Sequence, residues 1–163
     1  MRYSIRFGTA LDLPGIEILL PRLVDFDVPS YRVPEHLWQG DRDIILEWAH
    51  GNRDDIKVAV AIAGDSVVGV AVLSLRKELL SGDPSAHLEV LAVGASAEGC
   101  GVGSALMREV ETIALNNGAK SISLHVFSNN KRARALYQRQ GFNGELMRYY
   151  KPLDDAGALH TER

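Results

Sequence analysis

Cysteine is nearly absent. Cys100 is the single one, so no intramolecular disulfide and no cysteine-based zinc cluster can form, and a reducing, cytoplasmic setting is the expectation. An excess of charge of one sign is also missing. The formal net charge is -3 with 24% charged residues, which gives no global attraction to nucleic acid or to an anionic membrane. Long apolar runs are lacking too. Residues 67–75 are interrupted by Gly69 and Ser74 and fall far short of the roughly 20 residues of a bilayer span. Residues 1–10 alternate polar and apolar, carry Arg2 and Arg6, and have none of the continuous apolar stretch of a secretory signal. A soluble protein, with neither membrane nor nucleic acid as partner, is expected.

What is present suffices for a core. A chain of 163 residues with 46% hydrophobic side chains fits one compact domain and is short for two. The expected domain is 1–153, with 154–163 as a frayed tail. Residues 4–9 read as a strand. Asp12 then caps a helix with Pro14 in its first turn and Ile16, Leu19, Leu20 and Leu23 at helical spacing. The stretch 24–34 holds two prolines with Asp25, Asp27 and Tyr31 and reads as a surface loop before a helix over 35–50. Two β-branched runs, 56–63 and 66–76, joined by Gly64-Asp65, predict a hairpin. After a polar break at 81–85, a strand is expected over 87–93 and a helix over 102–117. A strand marked by Ile122, Leu124 and Val126, a helix over 131–139 and a last strand over 142–150 complete the chain. Strand-helix-strand order behind an antiparallel hairpin argues for an α/β (α+β) domain. Its central sheet is mixed and mostly antiparallel, with about six to seven strands flanked by about four helices.

Glu98-Gly99-Cys100-Gly101-Val102-Gly103 lies between a strand and a helix. A helix N-terminus offers unpaired N–H groups and a partial positive charge, and glycines let the backbone approach a phosphate closely. The turn is a candidate phosphate cradle; an ordinary tight turn is the plainer alternative. No Gly-Lys-Ser/Thr follows, which excludes a P-loop. A dinucleotide fingerprint would sit near the first strand, with an acidic residue about 20 positions on, which weakens a nucleotide-binding regulatory domain.

Leu91-Ala92-Val93 followed by Gly101-Val102-Gly103 resembles the phosphate loop of the GNAT superfamily of N-acetyltransferases. Asn130, Ala133 and Tyr137 with Gly141-Phe142 resemble its second motif, Asn-x-x-Ala-x-x-x-Tyr with a Gly-Phe ending. Ile5-Arg6, Thr9-Ala10 and Asp12-Leu13-Pro14 resemble the family's opening, so the likeness spans residues 4–151. One departure stands out: Glu98 occupies a position usually held by Arg or Gln, where a carboxylate would repel a pyrophosphate unless turned to solvent.

The resemblance implies a GNAT-like fold and acetyl-CoA as cosubstrate, with no metal. It implies that the pantetheine arm pairs with the backbone of Leu91, Ala92 and Val93. The pyrophosphate would sit on the turn of Glu98, Gly99, Cys100, Gly101, Val102, Gly103 and Ser104, with Asn130, Ala133 and Tyr137 completing the cofactor site. Lys131, Arg132 or Arg134 would meet the ribose phosphate, unless they form a solvated helix face. Acetyl transfer to an amine needs a deprotonated nucleophile, a stabilised oxyanion and a proton for the thiolate. The resemblance places Tyr137 near the sulfur as the acid. Glu89 is the candidate base or ammonium-orienting group; strand alternation puts it on the face of Leu91. His87 and His125 are alternative bases. Cys100 could suggest an acyl-cysteine, but its place inside the cradle and the family pattern imply direct transfer in a ternary complex. Asp25 and Asp27 could attract the cationic acceptor, a small-molecule or peptide amine. A non-catalytic acyl-CoA-binding regulatory module is the rival reading, and the oligomeric state is left open, homodimers being frequent in the superfamily by analogy.

Overall fold

The computed structural model describes residues 1–153; the expected tail, 154–163, lies outside the described residues. Five strands form one sheet in sequential order: β1 (Ser4–Phe7), β2 (Ile56–Ala63), β3 (Ser66–Lys77), β4 (Pro84–Val93) and β5 (Ile122–Leu124). All neighbours are antiparallel except β4 and β5, which pair in parallel. The helices are α1 (Leu13–Leu19), α2 (His36–Ala49), α3 (Val102–Asn116) and α4 (Lys131–Arg139), with 3-10 turns at Ala10–Asp12, Leu20–Val24 and Ala95–Ala97. Among the described residues no helix is long and apolar enough to cross a membrane.

Alternation divides the core by face. Val58, Val60, Val70 and Val72 pack with Ile16 and Leu19 of α1, Leu20 of the 3-10 turn after it and Ile45 of α2. The intervening Ala59, Ala61, Ala71 and Leu73 pack with Val102, Leu106, Met107, Val110 and Ile113 of α3. Small side chains on that second face let α3 come close. At Gly69 an added Cβ would stand 2.8 Å from Val102 Cγ1 and 3.0 Å from Leu106 Cδ1.

The sheet departs from the expected pattern in three places. β4 begins at Pro84, a residue that needs no ladder N–H at a strand start, and the Ser85 hydroxyl hydrogen-bonds Ser121 O at 3.2 Å. β5 stops at Leu124, short of Val126. The expected strand over 142–150 does not form, so the sheet has five strands rather than six or seven. Leu146-Met147 and Tyr149-Tyr150 are adjacent pairs, so no register would bury one face and expose the other. Tyr150 instead stacks on Tyr31 (5.4 Å between centroids), with the Arg32 guanidinium 3.9 Å from its ring centre.

Candidate active-site cleft

The bulge in β4 makes the site. Val72 is opposite Val90 and Leu73 is opposite Leu88, so Glu89 has no partner on β3. An extra residue of this kind bends a strand and re-aims a side chain. Leu88 lies in the α3-side cluster, whereas Val90 and Ala92 lie in the opposite one, with Leu91 and Val93 back on the α3 side. The sequence expectation that Glu89 and Leu91 share a face is therefore corrected. Glu89 turns toward Ser74 and Arg76, accepting from Ser74 Oγ at 2.7 Å and Arg76 Nη2 at 2.5 Å.

Pairing of β4 with β5 ends at the same point, at Leu88–Leu124. Beyond it, β4 is paired on the β3 side only, and its other edge opens into a cleft of about 570 Å³. Leu91, Ala92, Val93, Glu98, Gly99, Gly101, Val102, Gly103 and Ser104 line it from one side, and Asn130, Ala133 and Tyr137 from the other. Of the cofactor-binding residues expected from the motifs, all but Cys100 thus line the cleft. Cys100 does not line the cleft; it packs against the α3-side core with its thiol 3.6 Å from Glu98 O.

At the cleft floor Gly99 and Gly101 have φ of 71° and 82°, a left-handed backbone that glycine adopts without steric cost. The first helical bond runs from Ala105 N to Gly101 O, so the amides of the preceding turn have no helical partner and carry the positive end of α3. Glu98 is paired with Arg22 and with Arg132 Nη1 at 3.0 Å. Arg132, together with Arg22, holds its carboxyl below the usual range. Arg22 also donates to Val93 O at 3.2 Å and pairs with Asp25 at 2.9 Å. The expected repulsion at Glu98 is answered locally by two guanidiniums.

Asn130 shapes the opposite wall through a helix cap. Its side-chain oxygen accepts from Ala133 N at 3.3 Å at the start of α4. That cap sets where Tyr137, two turns on, enters the cleft. The half-buried phenol packs on Phe142 (6.0 Å), and burial pushes its pKa up to about 12. His125 lines the cleft; His87 does not. His87 is buried beside Ser123 Oγ at 2.8 Å, and burial, then Arg76, pushes its pKa down to about 4. Of the loop acids, Asp25 lines the cleft and Asp27 does not; Asp27 O accepts from Asn129 at 2.6 Å. Lys131 and Arg134 are absent from the lining, while Arg132 and Arg139 are present.

Arg22 and Asp41 line the cleft although the sequence reading did not single them out. Arg22 carries no local signal. Asp41 does, since Leu37, Asp41, Ile45 and Trp48 fall at helical spacing, which places a carboxylate within the apolar stripe of α2. Burial and then the neighbouring Glu89 charge push Asp41 up to about 7.

Solved structures share this architecture. AAC(6')-Iy in complex with the bisubstrate analogue CoA-S-monomethyl-acetylneamine matches with a TM-score of 0.69 at 23% identity, over 93% of this chain and 99% of that one. Glucosamine-6-phosphate N-acetyltransferase from Arabidopsis thaliana matches at 0.68 and 18% identity, over 94% and 100%. An aminoglycoside acetyltransferase from an uncultured soil metagenomic sample, in complex with trehalose, matches at 0.67 and 18%, over 93% and 97%. At such identities the likeness speaks for the fold. The family model described as acetyltransferase (GNAT) family matches residues 20–142, a span that holds the β4 bulge, the glycine turn and the Asn130–Tyr137 helix, and the chain belongs to that family.

Proposed function

We propose that the chain is an N-acetyltransferase that moves the acetyl group of acetyl-CoA to a primary amine by direct attack in a ternary complex. The observation that carries this reading is the one-sided edge of β4 beyond Glu89, running straight into the unpaired amides at the head of α3. The residues present fit the cosubstrate. Leu91, Ala92 and Val93 offer backbone groups to an extended amide-bearing arm. The turn from Gly99 to Ser104 offers N–H donors to a pyrophosphate, and Arg22 and Arg132 supply positive charge beside it. When bound, acetyl-CoA supplies an activated acyl group.

The protein's own contribution is orientation and proton handling. Tyr137 donates its phenolic proton to the departing sulfur; burial keeps that proton on the oxygen across the working pH range. Glu89, fixed by Ser74 and Arg76, orients the acceptor's ammonium. Phe26 and Leu37 add apolar surface to the same cleft. Neighbours of the same fold are an aminoglycoside acetyltransferase and a glucosamine-6-phosphate N-acetyltransferase, which supports an amine on a small polar molecule as the acceptor.

Calorimetric titration with acetyl-CoA, CoA and ATP tests the reading. Saturable binding of the first two but not of ATP is expected, followed by CoA release when primary amines are added. Absence of acetyl-CoA binding would overturn it, and binding without turnover of any amine would favour a regulatory acyl-CoA module.

A further inference from the structure

Four carboxylates line the cleft: Asp25, Asp41, Glu89 and Glu98. Three of them have a cation. Asp25 pairs with Arg22, Glu89 with Arg76, and Glu98 with Arg22 and Arg132. Asp41 stands apart. Among the described residues no side chain forms a hydrogen bond or ion pair with it, and its sequence neighbour Arg42 is turned to Glu17 of α1 at 3.3 Å. Glu89, re-aimed by the bulge, lines the same cleft, so a half-buried acid without a partner shares that cavity with a second acid.

We propose that Asp41 takes the proton of the acceptor's ammonium, while Glu89 only holds that ammonium in place. This rests on the acetyltransferase reading above. The Glu89 carboxylate is already engaged by Ser74 and Arg76. An unpaired, partly desolvated carboxylate beside a like charge gains from taking up a proton, and it has an unmet preference for a cation. An ammonium entering between Asp41 and Glu89 satisfies both groups.

The charged groups that share the cleft with Asp41 come from every wall. The turn after α1 contributes Arg22 and Asp25. β4 contributes Glu89, with Arg76 of β3 behind it. The connection after β5 contributes His125, and α4 contributes Arg132, Tyr137 and Arg139. Burial, and then Glu89 among these groups, raises the carboxyl to about 7. The sign follows: Asp41 must be ionised to accept a proton, so kcat/KM, which reports the free enzyme, rises as pH climbs through about 7. The protons balance. An ammonium and a thioester become an amide and a thiol with one proton left over. Asp41 takes that proton and releases it to solvent. The nitrogen's other lost proton makes good the one that Tyr137 gives to sulfur.

The test combines two measurements on the full chain. Side-chain carboxyl NMR, assigned by loss of the signal in Asp41→Asn, should show Asp41 titrating near 7, with the midpoint moved down in Glu89→Gln. A midpoint in the ordinary carboxylate range overturns the inference, whatever the activity. Initial rates with acetyl-CoA and a panel of neamine, glucosamine 6-phosphate and spermidine give the second measurement. Asp41→Asn should lower kcat by about a hundredfold and abolish the rise of kcat/KM through neutrality. Glu89→Gln should chiefly raise KM, and His125→Gln should keep the rise. Unchanged acetyl-CoA affinity in Asp41→Asn, and partial recovery in Asp41→Glu, would separate a lost proton acceptor from a damaged fold. A rise that survives in Asp41→Asn, or vanishes in His125→Gln, overturns the assignment while leaving the acetyltransferase reading intact. Turnover of none of the amines overturns both.

Discussion

Arg22 and Glu98, 76 positions apart in sequence, meet at the mouth of the glycine turn, where Glu98 is shared with Arg132. The carboxylate therefore occupies two guanidiniums that a bound pyrophosphate would otherwise recruit. Replacing it with Gln frees them and removes a negative charge from the cradle. Glu98→Gln should bind acetyl-CoA several-fold more tightly, with the gain shrinking as salt is raised. Calorimetry at two ionic strengths checks both parts, and equal affinity in the two proteins would show that the arginines stay with other partners.

Tyr137→Phe should lower kcat by about a hundredfold and leave acetyl-CoA affinity nearly unchanged. Because burial pushes the phenol up to about 12, the wild-type rate should show no fall from phenol ionisation up to about pH 10. A descending limb within that range that disappears in Tyr137→Phe would contradict the protected phenol.

Gly69→Ala tests the close approach of α3. The new methyl would meet Val102 and Leu106 at 2.8 and 3.0 Å, and overpacking of this kind costs about 1–3 kcal/mol. The urea midpoint should drop with no change in the slope of the transition. Both neighbours are fully buried, which limits their freedom to move aside.

The pair formed by Arg6 and Asp12 predicts an acid dependence of stability. Arg6 donates to both carboxylate oxygens at 2.8 Å, and Thr9 N donates at 2.8 Å as well. The Arg6 hydrogen bonds, more than any other influence, hold Asp12 below the usual carboxylate range. A carboxyl lowered in the folded state stabilises the fold above its unfolded pKa and loses that contribution as pH falls through its folded one. Asp12→Asn should be less stable than wild type at neutrality, and the gap between their urea midpoints should narrow toward pH 3.

Local signals predicted what local chemistry decides. The Gly64-Asp65 hairpin, the glycine-led start of α3 and the capped α4 all stand where the sequence pattern put them. So do the residues that converge on the cleft, because the motifs fix turns and helix starts. Long-range relationships were not legible. Nothing near Arg22 in sequence announces Glu98 or Val93 as partners. The segment after Gly141 carries aromatic and β-forming residues but finds its contacts on Tyr31 and Arg32 rather than in the sheet. Asp41 went unread, although an acid within an apolar stripe is a conflict between local pattern and residue type of the kind that marks working sites.

The extra residue in β4 behaves as a one-letter insertion in a two-letter code. Upstream of Glu89 the even-numbered residues Ala86 and Leu88 face α3; downstream the odd-numbered Leu91 and Val93 do. Removing that single residue would leave Val90 following Leu88 directly, still opposite Val72 and Leu73 respectively, so every remaining side chain of the strand would keep its face. The apolar core would be untouched, and what would go is Glu89 itself and the bend that re-aims it into the cleft. The shape of the molecule would survive such a deletion better than its chemistry, because the site depends on an interruption of the pattern that builds the fold.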